Sequence, residues 1–393
     1  MTETVERMLA DIEKLAPEIR AHATEMEEAR RLPDDLVATL KSIGVFRMLV
    51  PRSHGGFELD LPAGLKVITA LSKIEGSVGW NAVIGGTGGA LLTLLMREAY
   101  DEIYRNGPDV ISSGSLQPAG TAEAVEGGWR ISGRWPLVSG CQYSEWIAGS
   151  CVVIKDGKPV PGSGGVGAPP LTRFFFLRAE EWQIEDTWHA VGLKGTGSYH
   201  IVLKDKFVPA MYVSDLVDGV PCVPGPFYAA AKLLVPLFLG AVLLGIAEGA
   251  VDDLIALANT GRQQFAAASP MRESETFQGE LARAVADVRA ARALLHDQAT
   301  SHWALAEAGA LKGEARSMEG VQTVVWIATT CGRVGDTCFL LGGSGALYES
   351  SPLQRRLRDL HTATQHYGGH PRQYPSVGKQ LLAAAAAATE RAA

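Results

Sequence analysis

Three short segments of this 393-residue chain gather hydroxyls, glycines and aromatic residues at close spacing. They are residues 111–120 (ISSGSLQPAG), 135–140 (WPLVSG) and 187–198 (TWHAVGLKGTGS). Serine and threonine each supply one donor and two acceptor lone pairs, and glycine lets a backbone N–H come close to a ligand. A flavin's ring edge and phosphates need groups of this kind, although each segment taken alone reads equally well as a turn. Residues 192–197 (GLKGTG) copy a phosphate loop only in spacing, because a strand pattern follows them rather than a helix. The motifs G-x-x-x-x-G-K-[ST], H-E-x-x-H and G-x-S-x-G do not occur.

His361, His366 and His370 lie close together, but Gly368-Gly369 interrupts any shared helical face. No carboxylate or cysteine at ligand spacing completes a set, so no metal site is expected. His296 and His302 read as helix-surface or interface residues. Trp129, Trp135, Trp146, Trp182 and Trp188 all fall within residues 107–220. Core packing accounts for each singly, and together they also suit the walls of a flat apolar cavity.

The elements that must position these groups change along the chain. Residues 1–106 carry helical periodicity, with Val5, Met8, Leu9, Ile12, Leu15 and Ile19 on one face. Pro33 suits the start of a second helix and Gly44 its exit, and further helices are expected at 62–75 and 77–96. Residues 107–220 carry short β-branched and aromatic runs at 129–132, 146–154, 173–178, 182–187 and 199–203. A turn is expected at Gly127-Gly128 and a loop at 155–170. With no helical pattern between them, these strands predict a small antiparallel barrel or sandwich. Residues 221–393 are helical again, with an apolar stripe at Leu281, Ala284, Val285, Val288, Ala291 and Leu295 that suits a bundle. Three domains with these boundaries are expected, 1–106, 107–220 and 221–393. The order of helices, strands and helices is not the alternation of a dinucleotide-binding fold.

The net charge of −7, with 47% hydrophobic and 20% charged residues, fits a soluble globular protein. No dense basic stripe appears, so no nucleic-acid partner is expected. Five cysteines without a C-x-x-C point to free thiols in a reducing cytoplasm. The acidic, amphipathic N-terminus is unlike a signal peptide. The longest apolar stretch, 233–247, is interrupted by Pro236 and falls short of the ~20 residues a membrane span needs. It predicts a buried core helix and no membrane partner.

The order and spacing of these segments resemble the acyl-CoA dehydrogenase superfamily over nearly the whole chain. The resemblance extends to Leu32-Pro33, Pro51 with Gly55-Gly56, Arg262-Gln263-Gln264-Phe265, Leu341-Gly342-Gly343-Ser344-Gly345 and Arg358-Asp359. Common short-chain members place a Tyr-Glu-Gly-Thr segment after the Arg-Asp pair, and its glutamate is the base. Here residues 360–369 read LHTATQHYGG, with no glutamate. Residues 133–140, 186–189 and 195–198, together with His366 seven positions after Asp359, resemble instead the oxygenase components of two-component flavin monooxygenases.

That resemblance implies a helical N-terminal domain, a central β-barrel, a C-terminal four-helix bundle and a homotetramer with flavin between domains and subunits. It implies a separate NAD(P)H-dependent flavin reductase, reduced flavin (FMNH2 or FADH2) as cofactor, O2 as co-substrate and a C4a-hydroperoxyflavin that oxygenates a small aromatic or polycyclic substrate. Ser139 and His366 are then the catalytic candidates. Ser113, Ser115, Ser139, Gly140, Arg262, Phe265, Gly342 and Gly343 are candidates for cofactor binding, and Trp80, Asn81 and Trp188 for the substrate pocket. Two alternatives stand beside this reading: a dehydrogenase with its base elsewhere, and a non-catalytic paralogue that uses the bundle for assembly.

Overall fold

The computed structural model describes residues 2–162 and 169–392. Six helices come first: α1 (Thr2–Ala21), α2 (Ala23–Ala29), α3 (Asp34–Ile43), α4 (Leu61–Ile74), α5 (Gly76–Leu91) and α6 (Arg97–Ile103). Their ends follow local chemistry. Asp34 and Asp35 sit in the first turn of α3, where carboxylates offset the helix dipole, and Gly44 ends it in the left-handed region at φ 91°. The Asp60 carboxylate caps α4 by accepting from Ala63 N, and Glu75 caps α5 by accepting from Ser77 N. A Cβ at Gly79 would run into Ser72, so glycine there lets α5 lie directly on α4.

Eight strands follow: β1 (Ser112–Val125), β2 (Gly128–Val138), β3 (Trp146–Lys155), β4 (Lys158–Pro159), β5 (Thr172–Arg178), β6 (Gln183–Glu185), β7 (Tyr199–Pro209) and β8 (Val213–Ser214). They form one sheet in the order β6-β7-β2-β1-β3-β5-β8, with β4 paired to β3. Two expectations are corrected here. The sheet is mixed rather than antiparallel, because β1 and β3 pair in parallel. Ser113 and Ser115 lie in a strand rather than a loop. Serine and glycine have weak strand propensity, but Ser112–Ser115 pair in register with Trp146–Gly149 of β3, and pairing outweighs propensity. The loop expected at 155–170 contains β4, and its residues 163–168 lie outside the described residues.

The tryptophans are mostly core rather than cavity wall. Trp135 and Trp182 meet edge to face inside the sheet, and Trp146 packs on Tyr212 under the Arg178 guanidinium.

The remaining helices are α7 (Pro226–Ala229), α8 (Ala231–Leu234), α9 (Leu237–Asn259), α10 (Glu275–Glu307), α11 (Glu314–Gly342), α12 (Pro352–Thr364) and α13 (Tyr374–Ala392). The α9 helix packs against α4, α10, α11 and α12. The segments Ala231–Asn259 and Glu314–Ala346 are long and apolar enough to cross a membrane by length and composition. In the first, 89% of the most apolar window is buried inside the fold. Ala284, Val288, Ala291 and Leu295 of the predicted stripe are buried, with Leu281 and Val285 packed at its margin. His302 of α10 is also fully buried, so it is an interior residue and not a surface one.

Candidate active site

The segment 135–140 leaves regular strand geometry before it reaches Ser139. Leu137 adopts φ +60°, and the pairing of β2 with β7 shifts between Trp135 and Val138. A β-bulge of this kind re-aims the side chains beyond it. Here Ser139 turns into the protein and is 4% exposed, while Leu137 stays 60% exposed.

Ser139 joins a chain of buried hydroxyls. Its Oγ lies 2.7 Å from Ser198 Oγ, and Ser198 Oγ lies 2.7 Å from Thr196 Oγ1. Thr196 Oγ1 donates to the Leu193 carbonyl at 2.7 Å. At the other end Trp80 Nε1 donates to Ser139 Oγ at 3.0 Å. The Trp80 ring then meets the His366 imidazole edge to face, with centroids 5.6 Å apart.

The loop from Thr187 to Ser198 is fastened from three sides. Leu193 sits in the left-handed region at φ +49°, and its N–H donates to the buried Asp359 carboxylate at 2.6 Å. Trp188 Nε1 donates to the Leu193 carbonyl at 3.2 Å and the Lys194 carbonyl at 3.1 Å. Arg30 pairs with Asp186 and lies over the Tyr199 ring. A Cβ at Gly192 would collide with the Arg358 carbonyl, so glycine lets the loop pass beneath α12.

Helix α12 is itself anchored by a buried ionic cluster. Arg356 pairs with Asp253 and donates to the Ser72, Lys73 and Ile74 carbonyls, which satisfies the C-terminal end of α4. Arg355 and Arg358 both face Glu27, and Arg355 also faces Glu75. Burial, and then the nearby Glu75 charge, push the Asp359 carboxyl up to about 7. Burial raises Glu75 as well.

His366 follows the end of α12. Its Nδ1 accepts from Gly368 N at 3.2 Å, so the neutral ring carries its proton on Nε2. The side chain is solvent-accessible, yet surrounding protein lowers its pKa by desolvation. Both observations fit an imidazole packed against protein on one side, open to solvent on the other and neutral near pH 7. His361 pairs instead with Asp336, and His370 Nδ1 accepts from Arg372 N.

The other sequence candidates fall into two groups. Asn81 is 1% exposed and its amide donates to the Gly195 carbonyl. It therefore braces the loop, and Gly140 N donates to the Thr196 carbonyl beside it. Ser113 and Ser115 are buried in β1, and the Ser113 hydroxyl has no protein partner among the described residues. Arg262, Phe265, Gly342 and Gly343 form a separate group at the end of α11. Arg262 donates to Ser344 Oγ at 3.1 Å and packs on Gly345, and Gln264 lies against Gly343. Phe265 is fully exposed. No contact within the chain joins this group to Ser139 among the described residues.

Thr196, Ser198 and Leu193 are the structural links that sequence reading did not single out. Their signal was the Gly195-Thr196-Gly197-Ser198 alternation, in which small residues flank two hydroxyls. The donor set fits a flavin. The Ser113 hydroxyl is buried without a partner, and Ser139 keeps an unused lone pair beside an aromatic and an imidazole wall.

Residues 2–103 match the model of the acyl-CoA dehydrogenase N-terminal domain and residues 237–371 that of its C-terminal domain. The mixed sheet between two helical segments and these matches define an acyl-CoA dehydrogenase-type fold. Within it, the chain is 30% identical to the flavin-dependent monooxygenase oxygenase subunit HsaA of Rhodococcus jostii, covering 92% of this chain and 94% of that one. It is 31% identical to the FADH(2)-dependent resorcinol hydroxylase oxygenase component of a Rhizobium species, covering 92% and 90%. The solved structure of XiaF from Streptomyces in complex with FADH2 and glycerol superposes with a TM-score of 0.87 at 25% identity, covering 96% of this chain and 94% of that one. The chain belongs to the oxygenase subunits of flavin-dependent monooxygenases.

Proposed function

We propose that this oxygenase hydroxylates a small aromatic molecule, using reduced flavin delivered by a separate NAD(P)H-dependent reductase and one oxygen atom of O2. The observation that carries the reading is the neutral, solvent-reachable His366 held against Trp80, whose indole is bonded to the buried Ser139. Bound reduced flavin supplies the electrons for dioxygen activation. The chain's own residues then have distinct tasks. His366 offers an Nε2–H to an oxygen atom without placing a negative charge beside it. Trp80 presents an apolar wall, and the buried hydroxyl chain keeps bulk water from the inner face. Ser113, Ser115 and Gly140 border the ring or its linker, and Trp188 the substrate.

The aromatic substrate is supported by the relative that acts on resorcinol and by the Trp80 indole held between Ser139 and His366. Both FMN and FAD fit this reading. A dehydrogenase would need a carboxylate base at the cleft, and residues 360–370 contain none.

The Arg262, Phe265, Gly342 and Gly343 group serves the flavin phosphates of a neighbouring subunit in a homotetramer. Its separation from Ser139 within one chain and the bare Phe265 ring support this. Helices α9–α12 form the four-helix bundle of that assembly, and the segments 1–106, 107–220 and 221–393 are its domains. All five cysteines are free thiols, which accords with a cytoplasmic protein. The test supplies NADH to the pure protein with a panel of phenols, first alone and then with a flavin reductase and free flavin. Hydroxylated product only in the second arm is expected. Turnover of NADH by the protein alone would contradict the reading.

A further inference from the structure

The hydroxyl chain has only one possible proton arrangement. It contains three oxygen–oxygen contacts, each 2.7 Å long: Leu193 carbonyl to Thr196, Thr196 to Ser198, and Ser198 to Ser139. Two oxygens at that separation need a proton between them. Three protons are available, one per hydroxyl, because a carbonyl has none. Thr196 must therefore donate to Leu193, which obliges Ser198 to donate to Thr196 and Ser139 to donate to Ser198. The three residues are 1%, 5% and 4% exposed, so water does not substitute for any link. Ser139 has now spent its proton. One of its lone pairs takes the Trp80 N–H, and the other is open.

We propose that the Leu193–Thr196–Ser198 relay makes Ser139 an obligate acceptor and thereby selects the redox state of the bound flavin. The proposal rests on the flavin reading above. Oxidised flavin has a bare nitrogen at N5, which can only accept. Reduced flavin carries an N–H there, which can donate. A ring edge facing Ser139 finds a partner in the reduced form and two opposed lone pairs in the oxidised form. Selectivity for the reduced cofactor is thus written into hydroxyl polarity, and the element that sets it is a backbone carbonyl three residues before Thr196.

The test is anaerobic titration of the purified protein with FMN and FAD, each oxidised and reduced, read by fluorescence and absorbance. Ser198→Ala removes the acceptor of the Ser139 proton, so Ser139 regains the ability to donate. Thr196→Val releases the same proton one link earlier and covers the case in which Ser198→Ala does not fold. The wild type should bind the reduced form more tightly. In either folded variant the ratio of oxidised to reduced Kd should fall by about three- to tenfold, the worth of one hydrogen bond, chiefly through tighter oxidised flavin. An unchanged ratio in a folded variant overturns the relay while leaving the oxygenase reading intact. Binding of neither redox form by the wild type overturns both.

Discussion

The Asp359 carboxylate accepts a 2.6 Å hydrogen bond from the backbone N–H of Leu193, 166 residues away in sequence. This one bond ties α12 to the loop that carries Thr196 and Ser198. Seven residues beyond Asp359, His366 meets Trp80, and Trp80 is bonded to Ser139. The two ends of the 359–366 segment thus close on the same hydroxyl chain from opposite sides.

Removing the bond at Asp359 should disturb the loop without touching Trp80 or His366 directly. Asp359→Asn keeps an acceptor for Leu193 N–H and should retain near wild-type product yield. Asp359→Ala leaves the Leu193 N–H without its acceptor and loosens the loop there, and a misplacement of about 1 Å in a reacting group costs on the order of 10²-fold. Coupled product per reduced flavin, measured for both variants, checks this. Equal loss in both would make charge, not position, the role of Asp359. The pH dependence has a definite sign. A carboxyl whose folded pKa is raised from 3.8 to about 7 favours the protonated fold, so its contribution is fully present below about pH 4 and is lost as pH rises to 7. Glu75, Glu27 and Arg358 share that environment. Denaturant midpoints of Asp359→Asn against wild type should therefore diverge in favour of the variant between about pH 4 and pH 7 and run parallel above that.

His366→Ala should fold and bind reduced flavin, because the side chain is solvent-accessible and, among the described residues, its ring accepts a single hydrogen bond, from Gly368 N. Loss of a positioned proton-transfer group typically costs ~10²–10⁴-fold in the chemical step. Rapid mixing of the reduced complex with oxygenated buffer should show less product and more hydrogen peroxide. Wild-type coupling in a flavin-loaded variant would remove His366 from the chemistry.

His302 is a buried fault in α10. It is 0% exposed, neither ring nitrogen has a hydrogen-bond partner among the described residues, and Glu319 stands 3.6 Å away, beyond bonding reach. Burial lowers its pKa, so the folded ring stays neutral while the unfolded one protonates below about 6.5. Its contribution to stability is present above that pH and lost as pH falls through the folded pKa. His302→Leu should raise stability by about 1–2 kcal/mol and flatten the acid limb between pH 6.5 and pH 5. Calorimetry across that range decides it, and a destabilised variant would show that His302 has a partner worth keeping.

The helices were legible because periodicity and caps are local. The 62–75 and 77–96 readings fall within a few residues of α4 and of α5 with its following turn, and the Gly44 exit is where the chain turns. Strands β3 and β5 were legible from their β-branched and aromatic runs. Strand β1 was not, since its serines and glycines become a strand only by pairing with β2 and β3. The burial of His302 was equally hidden, as a lone histidine gives no sign of which helix face is covered. At the site, Ser139, Trp80 and His366 were named from sequence and are found together. Ser198 and Thr196 lay in a segment the sequence singled out but carried no individual role, because that role depends on 2.7 Å contacts between residues 59 apart or on opposite sides of a turn.

The most direct test of the central claim is a single turnover with labelled dioxygen. The protein, loaded anaerobically with chemically reduced flavin and a phenol panel that includes resorcinol, is mixed with buffer containing 18O2. Mass spectrometry should find one 18O atom in a hydroxylated product and the second in water. Only labelled hydrogen peroxide with every phenol, together with oxygen-independent desaturation of an acyl-CoA, would contradict the account.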